Sequence, residues 1–211
     1  MVFGNAEFSE STTASAGIGC GRGISSATNA MAERVEVDGA LGSFSLRTEI
    51  WKDLVFKATY TRAIRAGFND PVETADTLEG KLSWTDEVVS LGLSSAVDSV
   101  DVAAVDATDY RDWRSSFEFS CLLATDLTVG YSSSYIVRAV KVPAAFDTAG
   151  LASELVNNYS TWINSVRCSL ELMENLTAGA YADYVLRDSA ADGLKYHRFN
   201  IGANLIYSFE Y

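Results

Sequence analysis

Apolar and polar residues alternate with period two from about residue 40 to the end of this chain. Leu54, Phe56, Ala58 and Tyr60 alternate with Val55, Lys57, Thr59 and Thr61. Leu78, Gly80, Leu82 and Trp84 alternate with Glu79, Lys81 and Ser83, and Val89, Leu91 and Leu93 with Ser90, Gly92 and Ser94. Phe117, Phe119, Cys121 and Leu123 form another stripe, as do Leu127, Val129 and Tyr131. Val166, Cys168, Leu170 and Leu172, and then Leu176, Ala178, Ala180, Ala182 and Tyr184, repeat the pattern. Such windows predict strands with one apolar and one polar face. Helical spacing fits none of them comparably. Only Thr148 to Asn157 could form a short helix, within a loop. The chain reads as all-β.

The connections are lopsided. Trp51-Lys52-Asp53, Thr85-Asp86-Glu87, Thr125-Asp126 and Met173-Glu174-Asn175 are tight, and each leads at once into an apolar strand start. Between them lie longer segments, about 66–77, 99–112, 139–158 and 187–194, which hold both prolines, Pro71 and Pro143. A repeat of strand, tight turn, strand and long loop predicts an antiparallel up-and-down meander over 1–211 as a single domain. Near the N-terminus, VFGNAEFSE and TASAGIGCG read as a hairpin. If Asp38-Gly39 is a further turn, the strands number about twelve, an even count that closes a meander. Without that turn there are eleven, and the chain reads as the C-terminal part of a larger barrel.

Alternation alone does not say which side is wet. A soluble barrel turns its apolar face inward around a ligand, whereas a membrane barrel turns it outward to lipid. Three features favour the second. Trp51 and Trp84 lie by tight turns, Trp113 and Trp162 where strands leave long loops, and Tyr110, Tyr135, Tyr159 and Tyr184 toward those same ends. Amphipathic rings placed so resemble girdles at two lipid–water interfaces. Lys57, Glu79, Lys81, Glu118, Arg167, Glu171, Asp183 and Arg198 sit mid-strand on the polar parity among Ser, Thr and Gly, as salt-bridge ladders lining a wet lumen would. Tight turns at one end, long loops at the other and strands of roughly 9–13 residues suit a tilted crossing of a hydrocarbon layer. Arg62 and His197 carry lipid-face parity, but both lie near long-loop ends, where a polar group can snorkel to the headgroups.

The chain ends NIGANLIYSFEY, with Tyr211, Phe209, Tyr207, Leu205 and, more weakly, Ala203 on alternate positions. This resembles the C-terminal signature of bacterial outer-membrane β-barrels, although the family most often ends in Phe. The resemblance implies that Leu205, Tyr207, Phe209 and Tyr211 form the assembly signal read by the barrel-assembly machinery. It further implies an outer-membrane location and lipid as a partner. A porin-like passive channel for small polar solutes or ions is the leading function, and a homo-oligomer such as a trimer is common among porins.

Composition narrows the alternatives. No run of 18 uninterrupted apolar residues exists, so a transmembrane helix is excluded. The start MVFGNAEFSE has neither the basic nor the apolar region of a signal peptide, so the chain reads as soluble or as a mature or excised piece. Net charge is −12, which argues against nucleic acid as a partner. Cys20, Cys121 and Cys168 lie far apart and His197 is the only histidine, so neither a zinc site nor a disulfide framework is expected. GIGCGRG precedes no phosphate-loop lysine, and no cofactor motif is present. His197 has no local nucleophile signature, although Asp109, Asp112, Asp188 and Asp192 could approach it from loops, so the chain reads as no enzyme. The acids Asp70, Glu73, Asp76, Asp98, Asp101, Asp106, Asp109 and Asp112 are expected in two loops, as a solvated surface, a lure for cations at a pore mouth, or a divalent bridge to lipopolysaccharide. Two other readings stay open: a sealed structural or adhesive barrel displaying those loops, and a soluble β-barrel binding an apolar ligand.

Overall fold

A computed structural model describes residues 2–24, 36–66, 72–103, 109–140, 158–189 and 194–208. Those residues form eleven antiparallel strands in one up-and-down sheet: β1 (Val2–Ser9), β2 (Thr12–Ile24), β3 (Glu36–Trp51), β4 (Leu54–Ala66), β5 (Val72–Thr85), β6 (Val89–Ala103), β7 (Tyr110–Ala124), β8 (Leu127–Val140), β9 (Tyr159–Met173), β10 (Leu176–Ser189) and β11 (Tyr196–Tyr207). Each strand pairs with its neighbours in sequence, and β1 and β11 form the two edges. With an odd number of strands, β1 and β11 run in the same direction. The expected N-terminal hairpin is present, with Val2 opposite Ile18. The four expected tight turns all fall between strands, and a fifth joins β1 to β2 at the same end. In the turn between β3 and β4, Asp53 takes φ 65°, a left-handed conformation that Asp tolerates better than most side chains.

Two expectations need correction. Asp38-Gly39 is no turn, because both residues lie inside β3, opposite Arg22 and Gly21 of β2. Arg22 Nε donates to Asp38 Oδ1 at 2.6 Å, and continuous pairing on both sides keeps the chain extended where an isolated Asp-Gly would reverse it. The long loops are also shorter than predicted. β5 starts at Val72, β6 runs to Ala103 and β7 starts at Tyr110, so Glu73, Asp76, Asp98, Asp101 and Asp112 are strand residues. Asp70, Asp106, Asp192, both prolines, the helix expected at Thr148–Asn157, and Phe209 and Tyr211 lie outside the described residues.

The sheet curls with its polar face inward. On a concave face side chains converge and cover one another, while on the convex face they diverge. Every buried hydrophobic or polar residue except Val72 belongs to the polar parity, including Ala75, Ala96, Asp98, Val100, Thr161, Ser165 and Val185. Val72 is the exception because it packs beside Ile64 against the bare backbone of Gly23. The apolar stripe is instead convex and exposed: Phe44, Leu78, Leu93, Phe117, Val166, Ile201 and Leu205 are each 40% exposed or more. A soluble barrel enclosing an apolar ligand would have the reverse arrangement.

Candidate functional site

Strand register places all eight charges predicted for the lumen on the inner face. Lys57 is opposite Lys81, Glu79 is opposite Thr59 and Ala96, and Glu118 is opposite Gly92 and Ser132. Arg167 is opposite Gly130 and Tyr181, Glu171 opposite Thr177, Asp183 opposite Ser165 and Asn200, and Arg198 opposite Val185. The expected ladder of opposite charges among them is not what this register builds. Of the eight, only Lys81 and Glu118 form an ion pair with each other, and at 3.9 Å it is a loose one. Lys57 instead continues a row of cations, because Arg47 on β3 is its direct partner on the other side. Arg47, Lys57 and Lys81 thus stand side by side on three strands, although like charges directly opposite one another are unfavourable. The sequence reading missed Arg47, whose alternation with Leu46 and Thr48 carries its parity but not its neighbour.

The well-formed ion pairs lie nearer the long-connection end, and they use the acids expected in loops. Asp112 accepts from Arg138 Nε at 2.7 Å and Nη2 at 2.5 Å, a two-pronged pair across β7 and β8. Arg114 Nη2 donates to Asp98 Oδ2 at 2.6 Å, and Arg65 Nε to Glu73 Oε2 at 3.1 Å. The three carboxylates are largely buried, with side-chain exposures of 12%, 7% and 8%. Between the arginines lie two tyrosines. The Arg138 guanidinium sits 3.9 Å from the Tyr110 ring centroid and 5.3 Å from that of Tyr159, and Arg187 sits 3.8 Å from Tyr159 on its other neighbour strand. Arg65 Nη2 reaches the Tyr110 hydroxyl at 3.4 Å, which in turn donates to Glu73 at 3.3 Å. An alternating belt of arginine and tyrosine therefore crosses the inner face from β4 to β10, held by ion pairs and cation–π contact.

Tyr110 and Tyr159 are thus not girdle residues. Each lies three positions from a tryptophan, Trp113 or Trp162, and in a period-two strand an offset of three changes the face. The tryptophans themselves are on the outer face. Trp113 and Trp162 are half-exposed, and their Nε1 atoms donate to Ser95 Oγ at 3.0 Å and Ser133 Oγ at 2.8 Å. Tyr135 lies directly opposite Trp162, and Tyr184 opposite Phe199, near the same level. At the turn end, Leu54 stands between Trp51 and Trp84. Arg62 is on the outer face with its own partner: Asp76, directly opposite, accepts from Arg62 Nη1 at 3.0 Å and from the Tyr60 hydroxyl at 2.6 Å. His197 is also outward, opposite Leu186. In the terminal strand, Leu205 and Tyr207 share the outer face with Ile201 and are exposed.

No family model matches the chain, and no curated protein matches it. Solved structures do. In-vitro folded OmpT, an outer membrane protein of Vibrio cholerae, aligns with TM-score 0.64 and 13% identity over 96% of this chain and 62% of that one. A loop L8 deletion mutant of OmpT aligns with TM-score 0.59 and 14% identity over 98% and 62%. A trimer form of OmpT gives TM-score 0.54 and 12% identity over 93% and 64%. The chain therefore spans less than two thirds of the length of these structures. The fold is that of an outer-membrane β-barrel.

Proposed function

We propose that this chain forms the wall of a bacterial outer-membrane channel through which small polar solutes pass passively. The observation that carries the reading is the inside-out arrangement of the sheet: a convex apolar face with aromatic rings at both ends, and a concave face of small polar residues and charges. In water, an exposed apolar surface of that extent would drive association, whereas in a bilayer it is solvated by acyl chains. Among the described residues, three buried inner-face atoms, Asp98 Oδ1, Asp183 Oδ1 and Arg187 Nε, have no hydrogen-bond partner. Leaving such groups unpaired costs about 1–3 kcal/mol each. The row of Arg47, Lys57 and Lys81 supports a solute path as well, because its charges are exposed or half-exposed and only Lys81 has a counter-ion, Glu118 at 3.9 Å.

In lipid the two sheet edges must also be paired, since an unsatisfied backbone group costs several kcal/mol there. Because β1 and β11 run in the same direction, wholly antiparallel closure takes an odd number of further strands. The apolar stripe of β11 is the surface that barrel-assembly machinery would read, and the trimer form of OmpT makes a homo-oligomer part of the proposal. The belt of arginine and tyrosine supports one other reading, a sealed barrel, since it fills part of the inner face. Single-channel recording in a planar bilayer across a KCl gradient separates the two. Discrete current steps are expected, and silence after verified insertion would leave the sealed barrel.

A further inference from the structure

We infer that the inner wall of β9, β10 and β11 carries a binding subsite for a hydroxylated ring, a pyranose sugar. The inference rests on the reading that this face meets water. A concavity of about 470 Å³ lies there, bounded by Arg167, Thr177, Tyr181, Asp183 and Asn204. Two glycines let the side chains that line it lie close to the backbone. Tyr181 is the direct partner of Gly202, and a Cβ on Gly202 would collide with Cε1, Cζ and the hydroxyl of Tyr181. The end of the ring therefore reaches across to β11 over Gly202, and Tyr181 as a whole is 41% exposed. Gly179 plays the same part for Asn204, whose side-chain amide occupies the space a Cβ would take.

The polar groups around that platform select the ligand. Arg167 is directly opposite Tyr181 on β9, and Asp183 is the next residue on the same face of β10. Asp183 borders the cavity, and its Oδ1 is buried with no hydrogen-bond partner among the described residues. A guanidinium offers only donors, a carboxylate only acceptors, and an amide both. Among the residues that line the cavity the two formal charges, Arg167 and Asp183, are opposite, so the lining itself is neutral overall. A ligand must then both donate and accept while presenting an apolar face to an aromatic ring. Vicinal hydroxyls on a pyranose do the first, and the axial C–H groups of its ring do the second.

The test uses the full chain refolded in micelles of a detergent without a sugar headgroup, with maltose as the probe and saturation transfer from protein to sugar as the readout. Transfer to the pyranose ring protons is expected. Tyr181→Ala should weaken binding roughly threefold to tenfold, the value of one aromatic contact, and Tyr181→Phe should keep it within about twofold. Asp183→Asn should weaken it too, while Ser116→Ala on a distant part of the inner face leaves it unchanged. Heat-dependent gel migration shows that each variant is folded. Absence of transfer from folded wild type, or undiminished transfer in Tyr181→Ala, overturns the subsite. The same chain in planar bilayers keeps the two readings apart. Ion current without maltose transfer removes the subsite alone. Tyr181-dependent transfer without current removes the channel alone.

Discussion

Two levels of one wall are built on opposite terms. Near the long connections, the inner face is packed: Val100 is fully buried, and Asp98, Asp112 and Glu73 are each enclosed with an arginine. Toward the tight turns the wall presents Arg47, Lys57, Lys81, Glu118 and Arg167 on its inner face, with one loose ion pair, Lys81 to Glu118, among them. The difference is one of compensation. A buried charge is tolerated only when its partner is in place, and each of these three carboxylates has its arginine. An exposed charge is tolerated unpaired, so the lower level can leave most of its charges without a protein counter-ion. Rigidity and availability are separated along the strands rather than around the barrel.

The sharpest way to break this contrast is to delete one acid from each level. Asp112→Ala leaves the Arg138 guanidinium without its two-pronged acceptor and should cost about 3–5 kcal/mol. Glu118→Ala, whose side chain is 61% exposed, should cost less than about 1 kcal/mol. Urea unfolding of the refolded barrel, followed by tryptophan fluorescence, measures both. Equal losses would show that the levels do not differ in the way described. A second pair sharpens the assignment of faces. Phe117 is convex and Ser116 concave, one residue apart in β7. Phe117→Arg should cost about 2–4 kcal/mol in lipid vesicles. Ser116→Arg, beside a cavity of about 320 Å³ that also holds Glu79, should cost under about 1 kcal/mol. Reversed costs would turn the barrel inside out.

What the sequence made legible follows from which signals are local. Parity is local, so the faces of Lys57, Glu79, Lys81, Glu118, Arg167, Glu171, Asp183 and Arg198 could be read one strand at a time. Pairing is not local. That Lys57 would stand between Arg47 and Lys81, and not beside Glu79, depends on the register of three strands, which the turns fix. The acids misled for a related reason. Asp76, Asp98 and Asp112 look like loop residues because isolated acids are poor strand formers, and each is held in a strand by an arginine 14 to 26 positions away. Tyr110 and Tyr159 needed only a count of three from their tryptophans to be placed inward. Gly179 and Gly202 have no side chain to carry parity, and their part in the wall is visible only through the partner ring and amide that cover them.

The smallest expected effect on stability is the most telling about function. Lys57 has a cation on each side, so Lys57→Gln removes repulsion and should raise stability by a few tenths of a kcal/mol, at most about 1 kcal/mol. A residue whose removal helps the fold is not there for the fold. If the lower level presents its charges to passing ions, the same variant should move the reversal potential in a KCl gradient toward cations, and Lys57→Glu should move it further, with no loss of folding yield. Glu79 is the control. It lies on the same face two residues from Lys81, opposite Thr59 and Ala96, so Glu79→Gln should move the potential the other way. A reversal potential indifferent to Lys57 in both variants would mean that ions do not pass this level. The row would then be a cost in repulsion that the channel reading leaves without a use.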